Sequence, residues 1–250
     1  MGCSIRKKGL DSGQLKLIAI AAMTVDHLTW VLAPGLQKVW WVLALHAVGR
    51  ITAPVMWFFI AEGCHYTRDI KKYALRMALF AAVSHFAYCF AFGVPLSLRE
   101  GGIFNRTSVM LPLCLAVILI AVIKNERTRP WMLYVCIFLA CAAAFPADWS
   151  SIAVMAPVFL YLHREDRRKQ PLDIILWSAV YGAVYFFCLD RTYGLLQMCT
   201  ALSVPFLLRY NGRRGARGGM KWLFYIYYPA NLFVTGIIRI LLHGDVPVIF

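Results

Sequence analysis

The sequence predicts an all-α membrane protein, built as one bundle of eight or nine transmembrane helices. Of its 250 residues, 61% are hydrophobic and only 15% are charged, whereas soluble domains are about half apolar and about a quarter charged. The mean hydropathy of +0.65 supports the same fold class. This composition excludes a water-soluble enzyme, because no soluble core needs so large an apolar fraction.

Nine apolar runs are close to the length that crosses a bilayer, which is roughly 17–25 residues for a helix. In chain order they cover residues 15–33, 40–62, 72–92, 108–123, 131–146, 149–163, 172–189, 193–208 and 222–242. The fifth and sixth runs are short and meet at Pro146-Ala147-Asp148, where we expect a tight outer hairpin. Together the runs predict one transmembrane domain over residues 1–250.

The basic residues predict the orientation of the bundle. Eighteen of the 26 Lys and Arg residues fall in the N-terminal segment and in alternate loops. The other loops hold only Lys38, Arg99, Arg106 and Arg191. Cytoplasmic loops are enriched in Lys and Arg, so we expect a cytoplasmic N-terminus and, with nine spans, an outer C-terminus. The net charge of +14 is then a topology signal, and we expect no nucleic-acid partner.

The cysteines predict no metal site. Eight Cys residues are present without a C-x-x-C pair, and most lie within predicted spans, where Cys behaves as a small apolar residue. We therefore expect neither a disulfide framework nor a metal centre.

Ionisable residues are unevenly distributed among the spans, and a buried charge in a bilayer costs several kcal/mol. They gather in the first three spans, which carry Asp26, His27, His46, Arg50, Glu62, Arg76 and His85. The centres of spans four to eight have almost none. We therefore expect the first three helices to share a polar interior.

Helix geometry predicts that several of these side chains converge in the outer half of the membrane. Eleven steps separate Lys16 from His27, which corresponds to about 16 Å of helix rise and places both residues on nearly the same face. His46 and Arg50 are four residues apart and share a face of the second helix. The site is predicted to contain Asp26, His27, His46, Arg50 and His85.

Simpler interpretations remain for most of these residues. Asp26 and Arg50 would also form a purely structural ion pair. His46 lies near enough to the outer interface to be a polar boundary residue, and His85 would serve as an interhelical hydrogen-bonding group. Glu62, at the cytoplasmic end of its helix, would face basic residues of the next loop.

Three separated blocks of the sequence resemble the TraX family, within a match that extends from about residue 11 to residue 242. The residues that carry the resemblance are Leu15–Ile20, Met23–His27, Gly49–Ile51, Phe58–Gly63, His65–Arg68, Lys72–Arg76 and Lys221–Ala230. One departure is Asn231, where most relatives are expected to have His. The family is itself similar to the acyltransferase-three superfamily of membrane proteins, whose first helix has a basic residue, ten spacers and a His. Lys16 and His27 have that spacing.

The resemblance implies an acetyl- or acyltransferase in a bacterial cytoplasmic membrane. The donor would be cytoplasmic acetyl-CoA, and the acceptor an amine or hydroxyl at or beyond the outer side of the membrane. The best-known relative acetylates the amino terminus of conjugative pilin. For this chain a peptide amino terminus, a glycan and a lipid all stay open as acceptors.

The chemistry of acetyl transfer then suggests a role for each residue. A neutral imidazole is suited to deprotonating the acceptor near neutral pH, which makes His27 the candidate base, with Asp26 or a helix neighbour fixing its tautomer. Arg50 would stabilise the tetrahedral oxyanion. The candidates for binding the phosphates of the donor are Lys16, Arg68, Lys71, Lys72 and Arg76, and possible further lining residues are His46, Glu62 and His85.

Two other functions remain as alternatives. A proton-coupled transporter would use Asp26, His27 and Arg50 as a relay, but the internal repeats common in transporters are not detected in the sequence. A non-enzymatic component of a conjugation or surface-assembly system would not need a buried Asp-His pair.

Overall fold

A computed structural model describes residues 9–97, 105–166, 168–213 and 220–248, which contain eleven α-helices and one short 3-10 helix. The α-helices are α1 (Ser12–Leu32), α2 (Trp40–Gly49), α3 (Thr52–Tyr66), α4 (Ile70–Phe92), α5 (Met110–Lys124), α6 (Pro130–Ala144), α7 (Ile152–Leu162), α8 (Lys169–Cys188), α9 (Arg191–Met198), α10 (Val204–Leu208) and α11 (Met220–His243). The 3-10 helix, Cys199–Ser203, joins α9 to α10. In these ranges β pairing is limited to two isolated bridges. The predicted all-α fold is confirmed.

Aspartates begin three of the helices. The Asp11 side chain accepts a hydrogen bond from the backbone N–H of Gln14, and the Gln14 side chain accepts one from the backbone of Asp11. This capping box satisfies two otherwise unpaired donors at the start of α1. Asp69 and Asp190 cap α4 and α9 in a similar way. The starts of these helices are therefore encoded locally in the sequence.

Several helices have the length and composition of membrane spans. Within the described residues, five helical segments are long and apolar enough to cross a membrane: Ser12–Leu32, Trp40–Tyr66, Ile70–Phe92, Lys169–Cys188 and Tyr225–His243. The helices α5, α6 and α7 are shorter and also apolar. The protein is therefore a multi-pass membrane protein.

Two predicted spans are not single continuous helices. The run 40–62 divides into α2 and α3 at Arg50 and Ile51. Pro54 contributes to this break, since it has no N–H to donate to the carbonyl of Arg50 four residues earlier. The run 193–208 is divided among α9, the 3-10 helix and α10. Here the Thr200 and Ser203 hydroxyls donate to backbone carbonyls three residues earlier, contacts that compete with regular α-helical bonding.

Helix α3 lies at the centre of the bundle. It packs against α1, α5, α7 and the 3-10 helix, and most of its residues are buried. Around it, each helix contacts the next in the order α1, α11, α4, α5, α7, α8, α9 and α2, and α2 contacts α1 again. The polar start of α3 is therefore enclosed by a closed ring of helices.

Helix α6 lies outside this ring. Its contacts are with α5 and α7, and among its residues only Ala144 is buried. Its exposed side chains are large and apolar, including Trp131, Tyr134 and Phe138, as expected for a helix that faces lipid.

The described basic residues of the predicted cytoplasmic side, among them Lys124 and Arg209, lie together at one end of the bundle. We call this end the basic end. There Lys124 Nζ donates to the carbonyl of Cys64 at 3.2 Å, linking the ends of α5 and α3. The start of α1 joins the same end, where the backbone N–H of Leu10 donates to Arg209 at 2.8 Å. Seven basic residues that contribute to the predicted orientation lie outside the described residues: Arg6, Lys7, Lys8, Arg99, Arg167, Arg214 and Arg217.

Candidate active site

The most polar buried cluster joins α1 to the α2–α3 junction. The Nδ1–H of His46 donates to Asp26 Oδ1 at 2.8 Å, and Arg50 Nη2 donates to the same oxygen at 3.3 Å. The His46 and Arg50 side chains are 0% and 4% exposed. Three of the predicted site residues are thus brought together. The His46 imidazole is fully buried and lies 4.6 Å from the Trp30 ring, centroid to centroid.

A glycine allows this cluster to form. A Cβ atom at Gly49 would overlap the Cβ, Cγ and Oδ1 atoms of Asp26. Only a residue without a side chain lets α2 approach α1 closely enough for His46 and Arg50 to reach the same carboxylate. The sequence Gly49-Arg50 therefore encodes both the close helix contact and the buried cation.

An aromatic shell surrounds the guanidinium of Arg50. Its Cζ lies 5.5 Å from the centroid of the Trp149 ring and 5.7 Å from that of Tyr193, within the range of cation–π attraction. Ring contacts then connect Trp149 to Tyr181, and through Tyr185 back to Tyr193. We define the aromatic shell as Trp30, Trp57, Trp149, Tyr181, Tyr185 and Tyr193. It places the positive charge in a region with little access for water.

The turn that carries Trp149 has an unusual backbone. Trp149 and Ser150 have φ angles of 64° and 46°, in the left-handed region that bulky residues rarely occupy. The neighbouring segment secures the turn, since the N–H of Arg106 donates to Pro146 and that of Asp148 to Thr107, both at 2.8 Å. Backbone strain of this kind persists only where the surroundings fix it, and it is concentrated at functional sites.

Asp148, in the same turn, is a second acidic group near Arg50. Burial, reinforced by the Asp26 carboxylate, raises the pKa of Asp148 to about 7, although the Arg50 guanidinium opposes the shift. A carboxyl group in this environment is partly protonated at neutral pH. The ionised Asp26 therefore remains the principal partner of Arg50, in agreement with their direct hydrogen bond.

His27 lies on the adjoining face of α1 and contacts α11. Its Nδ1–H donates to Asn231 Oδ1 at 2.5 Å. Because an amide oxygen can only accept, the proton of the neutral imidazole is on Nδ1, and Nε2 carries the lone pair. Among the described residues Nε2 has no hydrogen-bond partner, and the residue is partly exposed. This is the arrangement a general base requires.

The orientation of the Asn231 amide follows from its other contact. Its Nδ2 atom donates to Thr24 Oγ1 at 3.4 Å. The Thr24 hydroxyl donates to the carbonyl of Ile20 and lies 2.7 Å from the hydroxyl of Tyr227. Thr24 Oγ1 therefore accepts from both Tyr227 and Asn231, which leaves the amide oxygen facing His27.

The structure differs in one respect from the predicted partnership between Asp26 and His27. Consecutive helical residues point about 100° apart, so Asp26 faces α2 while His27 faces α11 and, through Phe92, the end of α4. The group that contacts its imidazole is Asn231.

Two other predicted residues lie elsewhere. Glu62 accepts a hydrogen bond from Arg164 at 2.7 Å at the basic end, where Arg164 also donates to the Tyr66 hydroxyl. His85 contacts the Thr107 hydroxyl at 3.0 Å and donates from Nε2 to the carbonyl of Leu96 at 3.1 Å. Neither contact network joins the Asp26 cluster, so both residues hold loops at opposite ends of the bundle.

The five predicted donor-binding residues are distributed over several helices. Arg68 and Lys71 are exposed, and Lys72 forms an ion pair with Asp69 at 3.4 Å. Arg76 lies over the Tyr73 ring, whereas Lys16 lies 4.9 Å from the centroid of Phe59 on α3. The structure places them towards the same end of the bundle but does not join them in one contact network.

A half-open cleft lies close to Lys16, between α8 and α10. Its lining includes Phe58, Ile174, Leu207 and Tyr210. The ring of Tyr210 contacts both Phe58 and Phe59, so the aromatic face beneath Lys16 is continuous with the cleft wall.

Sequence reasoning missed Gln197, the aromatic shell and the contact of Asn231. Gln197 is neutral and lacks the charge that distinguishes the predicted residues, yet an amide in an apolar run is a detectable signal. In the described residues no group of three or more His, Cys, Asp or Glu side chains gathers as a metal site would require.

Comparison with known proteins agrees with the pattern of these residues. The family model described as "TraX protein" matches residues 11–239. The chain belongs to the TraX family. A relative named as probable fimbrial assembly protein FimC, serogroup H1, from Dichelobacter nodosus is 28% identical over 229 residues, covering 88% of this chain and 91% of that protein. No solved structure matches the chain.

The TraX match includes every side chain of the site. Asp26, His27, Arg50 and Asn231 all fall within residues 11–239, as does the Trp149 turn. The predicted resemblance to the TraX family is confirmed, and the relation to the acyltransferase-three superfamily stays a prediction.

Proposed function

We propose that this protein is a membrane-embedded acyltransferase that moves an acetyl group from acetyl-CoA to an amine or hydroxyl acceptor. The observation that carries the proposal is the contact of His27 Nδ1 with Asn231 Oδ1, which leaves Nε2 as a proton acceptor, while the preceding residue, Asp26, holds the buried guanidinium of Arg50. A base and a fixed positive charge are the two groups that acyl transfer needs. The proposal includes membership of the acyltransferase-three superfamily.

The proposed reaction uses two protein groups. His27 Nε2 takes the proton of the acceptor N–H or O–H as the nucleophile attacks the thioester carbonyl carbon and forms the new C–N or C–O bond. Arg50 stabilises the negative charge that develops on the carbonyl oxygen. When the C–S bond breaks, the proton on His27 passes to the leaving sulfur, so that free CoA and the acetylated acceptor are the products.

We propose that the donor approaches from the basic end, as a cytoplasmic substrate. Lys16 and the exposed residues Arg68, Lys71 and Lys72 supply positive charge for its phosphates, together with Arg76. The cleft beside Phe58 and Tyr210 offers an apolar wall for the uncharged part of the donor. The acceptor would approach from the opposite, outer side of a bacterial cytoplasmic membrane.

The relatives suggest a biological setting. Because the TraX family includes a pilin acetylase and the Dichelobacter nodosus relative is named as a fimbrial assembly protein, we propose that the acceptor belongs to a pilus or another surface structure. A peptide amino terminus, a glycan and a lipid remain the three chemical classes to test.

The deciding experiment is transfer of radiolabelled acetyl from acetyl-CoA by the purified protein in liposomes, offered a peptide amine, a sugar and an aminolipid in parallel. We expect His27→Ala to lower kcat by about 100- to 10,000-fold, the usual contribution of a general base.

His85→Ala is the matched control, because His85 is a second imidazole of the bundle whose hydrogen bonds, to the Thr107 hydroxyl and the Leu96 carbonyl, include none with Asp26, His27, Arg50 or Asn231. It should retain transfer within about threefold if it folds as wild type. Full activity in His27→Ala would disprove the assigned base. Absence of transfer by the wild type with all three acceptors would instead favour a proton-coupled transporter that uses Asp26, His27 and Arg50 as a relay.

A further inference from the structure

Gln197 approaches Arg50 from a distant part of the chain. It lies in the last turn of α9 and is fully buried. Helix α9 packs tightly on α8 because two glycines face each other: a Cβ on Gly194 would overlap the carbonyl of Gly182 and the backbone of Phe186. This backbone contact, one turn before Gln197, fixes the position of the amide.

The contact with Arg50 determines how the amide points. Arg50 Nη1 donates to Gln197 Oε1 at 3.5 Å, and a guanidinium can only donate. The carbonyl side of the amide therefore faces Arg50, and its NH2 group is left for another partner. That nitrogen, Nε2, is buried and has no hydrogen-bond partner in the described part of the protein.

Arg50 has an unpaired donor as well. Its Nε atom is buried and lacks a partner among the described residues, although Nη1 and Nη2 are bonded. Leaving a buried donor unsatisfied costs about 1–3 kcal/mol. Two such donors on contacting side chains, inside an aromatic shell, indicate that a ligand oxygen is bound there at some stage of the protein's work.

We propose that Gln197 is a second oxyanion donor, which acts with Arg50 on the carbonyl oxygen of the donor thioester. This inference rests on the proposed acyltransferase function and adds a residue to its site. The amide supplies a neutral N–H and the guanidinium a charged one, from two elements that the fold holds in fixed positions. Donors already in place need no reorganisation when the negative charge develops.

The test compares Gln197→Met with the wild type in the liposome transfer assay. Met matches the length of Gln and packs in an apolar site, but it removes the N–H donors. We expect kcat to fall about 100-fold, as for loss of one oxyanion donor, while KM for acetyl-CoA changes less than about threefold. Gln37→Met is the control and should retain kcat, because Gln37 is an exposed glutamine in the loop between α1 and α2.

A second readout separates chemistry from packing. Chloroacetyl-CoA gives a tetrahedral oxyanion that its own chlorine already stabilises, so the loss of kcat in Gln197→Met should shrink with this donor. A packing defect would lower both rates equally. If Gln197→Met does not fold, Gln197→Glu tests the proposed role of Gln197 instead, because it keeps the oxygen that faces Arg50 and removes the NH2 group.

The outcomes are distinct. Wild-type kcat in Gln197→Met, the same loss with both donors, or an increase in KM at constant kcat would overturn the role of Gln197 and leave the acyltransferase proposal standing. Wild-type activity in Gln197→Glu would show that the amide only holds Arg50, and would also overturn it. A wild-type protein that transfers no acyl group would overturn both proposals together.

Discussion

At the scale of single residues, the site contains two imidazoles with the same internal arrangement. His46 is oriented by the Asp26 carboxylate and His27 by the Asn231 amide, each through Nδ1. Their surroundings differ, because Nε2 of His46 is buried without a described partner, whereas His27 is partly exposed. His27 is therefore the imidazole that a substrate can reach, and His46 belongs to the support of Asp26 and Arg50.

The contact between Asn231 and His27 leads to a prediction. Asn231→Leu removes the amide oxygen that holds the proton on Nδ1, so the alternative tautomer becomes populated and Nε2 is no longer a reliable base. We expect kcat for acetyl transfer to fall about 10- to 100-fold, less than the loss recorded for misorienting a histidine in a protease triad.

Asn231→Asp is the informative companion, since a carboxylate also accepts from Nδ1–H and should preserve at least a tenth of the activity. Phe233→Leu provides the control, because this neighbouring side chain of α11 is exposed. Equal activity in Asn231→Leu and wild type would mean that Asn231 has no part in orienting the base.

The sequence reveals the charged members of this site more readily than the neutral ones. Asp26, His27 and Arg50 stand out because charge is rare in an apolar run. Asn231 and Gln197 acquire their roles only through contacts across 204 and 147 residues. Such long-range pairs depend on how helices pack, which the helical period alone does not specify.

At the scale of the helices, the break between α2 and α3 is the feature that creates the site. It occurs inside the run predicted as one span, 40–62, and places Arg50 in the interior between two short helices. Predicted runs agree with the helices where an apolar stretch has clear ends. The run 40–62 corresponds to one candidate span, Trp40–Tyr66, but the turn at Arg50 inside it is not predicted, because its cause is the combination of Gly49, Pro54 and the neighbouring Asp26.

Gly49 offers a direct test of this junction. In Gly49→Ala the new methyl group would overlap the Asp26 side chain, so α1 and α2 must separate. We expect a destabilisation of about 1–3 kcal/mol, typical of overpacking, seen as a lower Tm in detergent, together with loss of transfer activity.

Val48→Ala is the appropriate control for that measurement. Val48 precedes Gly49 on α2 and is 44% exposed, so its truncation should leave Tm nearly unchanged. A Gly49→Ala protein as stable and active as wild type would show that the two helices can separate without cost.

At the scale of the whole molecule, the ring of helices around α3 has two chemically different ends. Exposed Arg68, Lys71 and Lys72 lie at the basic end, and Lys38 pairs with Asp190 at the other, at 2.8 Å. The positive-inside rule predicts that the basic end is cytoplasmic. The proposed direction of transfer depends on this orientation.

Cysteine labelling in intact bacteria measures the orientation. A membrane-impermeant maleimide should label Lys38→Cys in whole cells and Lys72→Cys only after the membrane is permeabilised. A Cys188→Ser background removes the exposed native thiol. The reverse labelling pattern would invert the proposed topology and place the donor-binding end outside.

The position of α6 has a mechanical consequence. This most peripheral helix is followed directly by the turn that presses Trp149 against Arg50. We expect a change in its tilt, caused by bilayer thickness or by a neighbouring protein, to reach that turn over a few residues of chain. Membrane composition would then alter the surroundings of the Arg50 guanidinium.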